Sequence, residues 1–267
     1  MPTIQQLFNL TDKIFLVAGG ARNLGRDMAT ALAEAGADGI ITSRDATSAQ
    51  TTAREISKET GQKVLSLSLD ATVETDVERV FAETIKTMGR LDILINCVGG
   101  GGGGAKGAST TLEDRPRAAW DSLQEANVTA PFLLCKHAAR VMGEGGSIIN
   151  IASIAGIIGR DRRVYPEGMP AQPIDYAAAK AAIIGMTKDM AGYLGLRGIR
   201  VNVISPGGFE RGQPREFIEA YSDKTPLKRL GRDGIDLKGA VVFLASEASA
   251  YVTGHNLVVD GGFSIWQ

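Results

Sequence analysis

One tyrosine and one lysine of this chain have the types and the spacing that acid–base chemistry needs. Tyr176 and Lys180 are four residues apart, so on a helix both side chains project from one face. A phenol titrates near ~10, too high for a base at neutral pH, and a nearby ammonium stabilises the phenolate and lowers that pKa. The pair is therefore predicted to transfer protons, although the same spacing is common on an ordinary helix surface.

A glycine-rich segment near the N-terminus is a second candidate site. Residues 19–25 read Gly-Gly-Ala-Arg-Asn-Leu-Gly and follow a short apolar run that ends at Ala18. Glycines between a strand and a helix let backbone N–H groups approach a pyrophosphate, whose charge the helix N-terminus favours. Because any tight strand–helix turn also needs glycine, the segment indicates a dinucleotide site only in a suitable context.

The end of the second apolar run supplies that context with Ser43 and Arg44. In a dinucleotide-binding fold this position meets the adenosine ribose, where an acidic residue suits a free 2′-hydroxyl and a basic residue suits a 2′-phosphate. Arg44, together with Arg22 in the glycine segment, favours NADP(H). NAD(H) stays an alternative, because Arg44 could instead stack on the adenine.

The scaffold for these residues is an alternation of short apolar runs and longer helix-patterned segments. Strands are predicted at residues 13–18, 39–43, 63–69, 92–96, 146–151, 200–204 and 256–259. Helices are predicted at 24–35, 46–59, 74–88, 117–141, 174–194 and 236–245. This order predicts an α/β, doubly wound Rossmann fold: one seven-stranded parallel sheet with helices on both faces, in a single domain spanning residues 1–267.

Composition excludes several other classes of protein. The formal net charge of -1 argues against nucleic acid or an anionic membrane as a partner. No apolar run is long enough to span a bilayer, and the N-terminus does not resemble a signal peptide, so a cytoplasmic protein is expected. The two histidines, His137 and His255, and the two cysteines, Cys97 and Cys135, have no metal-ligand spacing, and no metal site is predicted.

The order of the motifs resembles the short-chain dehydrogenase/reductase family over essentially the whole chain. Residues 18–25 are similar to the family's TGxxxGxG, residues 96–99 (Asn-Cys-Val-Gly) to its NNAG, and Tyr176 with Lys180 to its YxxxK. Further matches are Asp70 after the third strand, Asn127, Ser153, Ser205-Pro206-Gly207, Thr253-Gly254 and residues 259–262.

The resemblance implies hydride transfer between nicotinamide and a substrate carbon. It implies that Tyr176 moves the proton, Lys180 lowers the tyrosine pKa and binds the nicotinamide ribose, Ser153 holds the substrate oxygen, and Asn127 supports a water. The residues that it implies for the cofactor are Gly19, Arg22, Asn23, Leu24, Gly25, Ser43, Arg44, Asp70, Ala71, Asn96, Val98, Gly99, Tyr176, Lys180, Pro206 and Gly207.

The chain departs from the family pattern at several positions. Ala18 replaces a threonine, and Cys97 replaces an asparagine and is expected to be a small buried residue rather than a reactive thiol. Asn23 replaces a glycine, and asparagine tolerates the left-handed backbone region better than most residues. Residues 208–211 (Gly-Phe-Glu-Arg) lack the family's frequent threonine, which puts a carboxamide contact in doubt.

Two segments, 160–173 and 208–225, are expected to cover the substrate. Both look polar, which favours a sugar, sugar acid or polyol as the substrate. The chain also resembles the gluconate 5-dehydrogenase-like branch of the family. Four arginines, Arg160, Arg162, Arg163 and Arg211, suggest an anionic sugar derivative, because the arginine fork suits carboxylate or sulfonate oxygens. The alternative is that they are solvated loop charges.

Other interpretations stay open at this point. A 3-oxoacyl-thioester reductase of the same fold and a cofactor-binding module without activity are the alternatives. The resemblance implies a homotetramer (or homodimer) formed through the long helices and the C-terminal strand. The run of six glycines at residues 99–104 has no firm interpretation: it could allow close backbone approach or simply be flexible.

Overall fold

Seven short strands form one parallel sheet in the computed structural model, which describes residues 1–100 and 111–266. The strands are β1 (Ile14–Ala18), β2 (Asp38–Ser43), β3 (Val64–Ser68), β4 (Ile93–Asn96), β5 (Ser147–Ile151), β6 (Arg200–Pro206) and β7 (Asn256–Val259). Their spatial order is β3-β2-β1-β4-β5-β6-β7, so the direction of winding reverses between β1 and β4. The predicted doubly wound Rossmann fold is confirmed.

The central strands are buried at every position, which explains their continuous runs of Ile, Leu and Val. Neighbouring residues of β1 face opposite sides of the sheet. Phe15 packs in one apolar cluster with Met28, and Leu16 packs in another with Leu134. Because helices cover both faces, the strands need apolar side chains on both.

Nine α-helices are found among the described residues. They are α1 (Ile4–Phe8), α2 (Asn23–Glu34), α3 (Ala46–Thr60), α4 (Glu74–Met88), α5 (Arg117–Gln124), α6 (Ala130–Val141), α7 (Ile174–Gly195), α8 (Arg215–Lys224) and α9 (Lys238–Ala245). The helix α8 lies inside the segment 208–225, for which no helix was predicted. None of the described helices has the length and apolar character needed to cross a membrane.

The single helix predicted over residues 117–141 is wrong in one respect, because a π-helical turn at Glu125–Thr129 separates α5 from α6. In a π turn the backbone N–H reaches back five residues instead of four, which leaves a carbonyl without its usual partner. The side-chain amide of Asn127 donates to the carbonyl of Leu123 at 3.0 Å. One asparagine thus supplies the hydrogen bond that the regular helix would have made.

A buried ion pair joins the segment before α5 to the first turn of α7. The guanidinium of Arg115 donates to the carboxylate of Asp175 from Nε at 3.0 Å and from Nη2 at 2.7 Å. The two side chains are 6% and 0% exposed. Asp175 lies in the first turn of α7, where a helix favours negative charge, and it directly precedes Tyr176. The pair therefore fixes the start of the helix that carries the predicted acid–base residues.

Replacing Arg115 with methionine is expected to lower the free energy of unfolding by about 3–5 kcal/mol, because the Asp175 charge would stay buried without its partner. Urea denaturation followed by circular dichroism measures this loss. The matched control is Arg117→Met, two residues after Arg115. This variant removes an exposed ion pair with Asp121 and should change stability little. Equal losses in the two variants would contradict the role given to Arg115.

Candidate active site and cofactor cleft

A cleft of about 740 Å³ opens at the carboxyl ends of the strands, where the winding reverses between β1 and β4. Ligands of doubly wound sheets bind at this position. Its wall contains these residues predicted to contact a cofactor: Gly19, Arg22, Asn23, Leu24, Gly25, Ser43, Arg44, Asp70, Ala71, Val98, Gly99, Tyr176, Lys180, Pro206 and Gly207.

The glycine turn leaves no room for side chains at two of its positions. A Cβ on Gly25 would lie 2.1 Å from the carbonyl oxygen of Gly19, and a Cβ on Gly19 would lie 2.5 Å from that of Cys97. Asn23 has φ +53°, which confirms that asparagine takes the left-handed conformation here. The turn therefore brings bare backbone and the N-terminus of α2 to the cleft, as a pyrophosphate requires.

The far end of the cleft carries the residues predicted to meet the adenosine. Arg44 is exposed there, and Asp70 accepts hydrogen bonds from the hydroxyl of Thr72 at 2.7 Å and its backbone N–H at 3.1 Å. These hydrogen bonds, with a smaller effect of the Arg44 charge, hold the pKa of Asp70 below its usual value. Asp70 is thus an ionised acceptor held in place near an exposed cation.

The predicted catalytic side chains meet at the other end of the cleft. Tyr176 and Lys180 are buried on α7, and the Lys180 ammonium nitrogen lies 5.6 Å from the centre of the tyrosine ring. Lys180 donates to the carbonyl of Ile151, at the end of β5, at 2.9 Å. Ser153 follows two residues later, and its hydroxyl lies near enough to Tyr176 to stabilise a phenolate. Strand β5 and helix α7 therefore bring these three side chains together.

The sequence-based expectation that the pKa of Tyr176 is lowered is wrong for this site. Burial raises the pKa of Tyr176 above its ordinary value, and the hydrogen bond of Ser153 and the charge of Arg160 only partly oppose it. Burial also lowers the pKa of Lys180 to about 8. Burial is the largest effect on both groups because it disfavours their charged forms, so at neutral pH the phenol keeps its proton.

Asn127 lies behind the cleft wall and is fully buried. Its side chain accepts from the backbone N–H of Gly100 at 2.8 Å and donates to the carbonyl of Gly100 at 3.3 Å. A Cβ on the neighbouring Gly99 would lie 2.4 Å from the Asn127 side-chain oxygen. The first glycines of the run at 99–104 thus allow close approach to Asn127, while residues 101–104 lie outside the described residues.

The side chain of Asn96 is placed away from the cleft, although it was predicted to contact the cofactor. Its amide nitrogen donates to the carbonyl of Pro131 at 3.2 Å, the sulfur of Cys135 at 3.2 Å and the side-chain oxygen of Asn150 at 2.8 Å. It therefore ties α6 to β5 inside the sheet. The next residue, Cys97, does line the cleft, and burial raises the pKa of its thiol to about 11, as expected for an unreactive cysteine.

A second cavity of about 300 Å³ adjoins the cleft and shares Ser153, Tyr176 and Gly207 with it. The prediction that the covering segments present a polar surface is wrong. The apolar and aromatic side chains of its wall include Ile154, Ile158, Val164, Tyr165, Met169, Phe217, Tyr221 and Phe263. The reason is that α8 is amphipathic: Phe217 and Tyr221, four residues apart, face inward, and most of its charged residues are exposed.

Aromatic contacts hold α8 over this cavity. Phe217 lies 5.3 Å from Tyr165 and 5.7 Å from Tyr221 between ring centres, and Tyr221 stacks on Phe263 at 4.2 Å. The hydroxyl of Tyr221 accepts from the backbone N–H of Gly208 at 2.7 Å. The covering segment is thus tied to the loop after β6 and to the C-terminal turn.

The four arginines predicted to bind substrate are not brought together. Arg160 lines the second cavity, whereas Arg163 is 84% exposed and paired with Asp161. Arg162 is exposed and does not line the cavity. Arg211 lines the cofactor cleft instead, where its guanidinium pairs with Asp233 and, at 3.5 Å, with Asp27.

One group of described side chains on α4 and α6 has metal-ligand spacing, although no metal site was predicted. It consists of Glu74, Glu78 and His137. Lys136 pairs with Glu74, and Arg140 pairs with Glu78 at 3.7 Å. Because both carboxylates have cationic partners in the protein, the group forms an ion-pair cluster.

Sequence reasoning missed two sets of residues that shape the site. The ion pair of Arg115 with Asp175 joins residues 60 positions apart, and no local pattern indicates it. The inward face of α8 does have a signal in the sequence, because Phe217 and Tyr221 have helical spacing. The prediction that this segment is polar considered its charged residues and overlooked the helical spacing of the two aromatic residues.

A glycine turn at the point of winding reversal, joined to a buried tyrosine–lysine pair, defines a dinucleotide-dependent oxidoreductase. A family model described as enoyl-(acyl carrier protein) reductase matches residues 19–264. The chain is 36% identical to the uncharacterized oxidoreductase YgcW of Escherichia coli, covering 97% of this chain and 95% of that protein. It is 32% identical to an NAD-dependent glycerol dehydrogenase of Listeria innocua, with 97% and 96% covered.

Among solved structures, the NADPH-dependent 3-quinuclidinone reductase of Rhodotorula rubra is similar with a TM-score of 0.86 and 30% identity, covering 99% of this chain and 96% of that one. The chain belongs to the short-chain dehydrogenase/reductase family. Members of this family are NAD(P)(H)-dependent oxidoreductases that act on small molecules.

The lowered pKa of Lys180 predicts how stability depends on pH. Between the folded value of about 8 and the ordinary value of 10.5, the unfolded chain binds more protons at this residue, so its contribution to stability rises with pH. A Lys180→Met variant lacks this titration. We expect the stability of the variant, relative to the original chain, to fall as pH rises from 8 to 10.5.

Urea denaturation of both proteins at several pH values from 7 to 10.5 measures this difference. The hydrogen bond to Ile151 that methionine cannot make adds an offset, but that offset should not vary with pH. A difference in stability that stays constant over the whole range would show that Lys180 is not desolvated as described.

Proposed function

We propose that this chain interconverts a secondary alcohol and a carbonyl on a small polar substrate, with NAD(P)(H) as the redox partner, in a single catalytic domain. The observation that carries the proposal is the position of Ser153, Tyr176 and Lys180, where the cofactor cleft meets the second cavity. The glycine turn around Gly25 fits a pyrophosphate, because a side chain there would fill the cradle. The bound nicotinamide would supply or accept the hydride.

The chain's own residues move the proton and hold the reacting oxygen. In reduction, Tyr176 donates its phenolic proton to the carbonyl oxygen, and in oxidation it takes the hydroxyl proton back. Ser153 would hydrogen-bond the same oxygen, and Lys180 would bind the nicotinamide ribose of the cofactor. Because burial keeps the phenol protonated at neutral pH, the site is prepared to donate a proton to a carbonyl. Asn127 supports this arrangement by fixing Gly100, and it would hold a water of the proton relay.

NADP(H) is favoured over NAD(H) in this proposal. Arg44 is an exposed cation at the end of β2 on the cleft wall, where a 2′-phosphate needs a positive charge. The relatives differ, since the Listeria innocua protein is NAD-dependent and the Rhodotorula rubra enzyme is NADPH-dependent.

The substrate that we propose is a sugar, sugar acid or polyol, as in the gluconate 5-dehydrogenase-like branch. The glycerol dehydrogenase among the relatives supports a polyol, and aromatic rings such as Tyr165 and Phe217 can stack on the C–H face of a compact carbohydrate. A cavity of about 300 Å³ suits a compact ligand.

One observation favours a second candidate, a 3-oxoacyl-thioester reductase: the apolar wall of the cavity would accept a short acyl chain. The family model's description points the same way. A cofactor-binding module without activity is disfavoured, because Ser153, Tyr176 and Lys180 are intact.

Assembly into a homotetramer (or homodimer) is also part of the proposal. Tyr193 and Leu196 on α7 are 74% and 92% exposed, and Tyr251 and Val258 near the C-terminus are exposed as well. Apolar side chains exposed along the long helices and the last strand are suited to contacts between copies of the chain.

Replacing Tyr176 with phenylalanine should lower kcat at least about 100-fold, because the proposed proton donor is then lost. The test uses the protein with NADPH or NADP⁺ and a panel of sugars, sugar acids, polyols and 3-oxoacyl thioesters, followed at the absorbance of the reduced nicotinamide. The affinity for NADPH, measured by fluorescence, should stay unchanged. The control is Tyr193→Phe on the exposed face of the same helix, and unchanged turnover in Tyr176→Phe would refute the mechanism.

Replacing Arg44 with alanine should weaken NADPH binding about 10- to 100-fold, the effect of losing one charge-assisted contact, and should leave NADH binding nearly unchanged. Fluorescence titration with both cofactors measures the two dissociation constants. Arg54→Ala is the matched control, since Arg54 is exposed on the neighbouring α3 away from the cleft. Equal losses for the two cofactors would argue against a 2′-phosphate contact.

A further inference from the structure

Arg160 is placed differently from the other cations around the second cavity. It is half-buried, lines the cavity wall, and its guanidinium carbon lies 6.0 Å from the centre of the Tyr176 ring. Its hydrogen bonds go to the carbonyl oxygen and, at 3.1 Å, the side-chain oxygen of Gln172. Both acceptors are neutral, so the charge of Arg160 is positioned by Gln172 without being neutralised.

The neighbouring cations have acidic partners. Arg163 and Lys224 both pair with Asp161, and Arg211 pairs with Asp233 beside the cofactor cleft. Within the described parts of the chain, Arg160 is the cation of the cavity wall for which no ion pair is found. A half-buried guanidinium with neutral partners retains most of its attraction for an anion.

The one carboxylate in the same wall does not cancel this attraction. Asp161 is held by two cations, and the hydrogen bonds of Arg163 and Lys224 keep its pKa well below the usual range. Arg163 and Lys224 together already balance the charge of this carboxylate, which leaves the positive charge of Arg160 unbalanced at this end of the cavity. The other polar side chains of the wall, such as Ser153 and Gln213, are uncharged, so a bound anion would find its strongest partner in Arg160.

We propose that the substrate carries a carboxylate that pairs with Arg160 while its hydroxyl or carbonyl carbon lies at Tyr176 and Ser153. The substrate class is then a compact hydroxy or oxo acid, such as a sugar acid, rather than a neutral polyol. The planar fork of arginine matches the two oxygens of a carboxylate. This inference rests on the proposed function and narrows it, because it selects one of the four arginines considered and one charge type for the ligand.

The test compares acids with neutral compounds of the same chain length. Aldonates of three to six carbons and the matching alditols are assayed as substrates of the original chain, Arg160→Gln, Arg160→Lys and the control Arg162→Gln, whose arginine is exposed two residues away. The ratio of kcat/KM for acid over alditol is the readout. Any general effect of the substitution on Tyr176 cancels in this ratio.

We expect Arg160→Gln to lower the ratio about 10- to 100-fold, the worth of one hydrogen-bonded charge, with Arg160→Lys intermediate and Arg162→Gln unchanged. Equal effects on acids and alditols, or an original chain that prefers alditols, would overturn the inference and leave the proposed function standing. If the proposed function itself is wrong, the result is different: no compound of the wider panel is then turned over in a reaction that depends on Tyr176.

Binding gives a second measurement that does not need turnover. Gluconate is titrated into each protein saturated with NADPH, and the nicotinamide fluorescence is followed. Gluconate should bind the original chain and Arg162→Gln with equal affinity and Arg160→Gln about 10- to 100-fold more weakly. Failure of gluconate and of every shorter aldonate to bind the original chain would overturn the inference even if a neutral substrate is found.

Discussion

The close packing of α7 on the turn that follows β5 is the constraint on which the site depends. A side chain on Gly156 would place its Cβ 2.6 Å from the backbone of Lys180, so the helix can approach the turn only because this residue is glycine. That approach lets Lys180 reach the carbonyl of Ile151 and brings Tyr176 beside Ser153. It also removes water from the phenol and the ammonium, which shifts both pKa values toward the neutral forms.

The sequence predicted the fold and most of the cleft because these features depend on local patterns. Strand periodicity, the glycine turn and the left-handed Asn23 are each specified within a few residues. What it did not predict depends on distant partners: the ion pair of Arg115 with Asp175, the inward direction of Asn96, and the burial that raises the pKa of Tyr176. Spacing along the chain says that two groups are near each other, but it does not say how much solvent is left around them.

The number of arginines near the two cavities does not show which of them can bind an anion, because some are paired with acidic residues of the protein. Counting arginines in the covering segments suggested one anion site made of four side chains. The structure distributes them, since Arg211 is fixed beside the cofactor cleft by Asp233 and Arg163 is occupied by Asp161. Whether an arginine is free to bind an anion therefore depends on the acidic side chains near it. The inner face of α8 contributes apolar side chains such as Phe217 to the cavity that Arg160 lines.

The π turn at Glu125–Thr129 has a consequence for how this helix can change by insertion or deletion. Each residue of a regular helix turns the chain by about 100°, whereas each residue of the wider π turn, whose N–H groups reach back five residues, turns it by less. The five residues of the turn therefore rotate the chain by roughly as much as four residues of a regular helix, so α6 keeps the phase of α5 and Leu134 stays in its apolar cluster. Deleting one residue here would restore a regular helix and keep the packing of α6, but it would remove the irregular turn in which Asn127 faces Gly100.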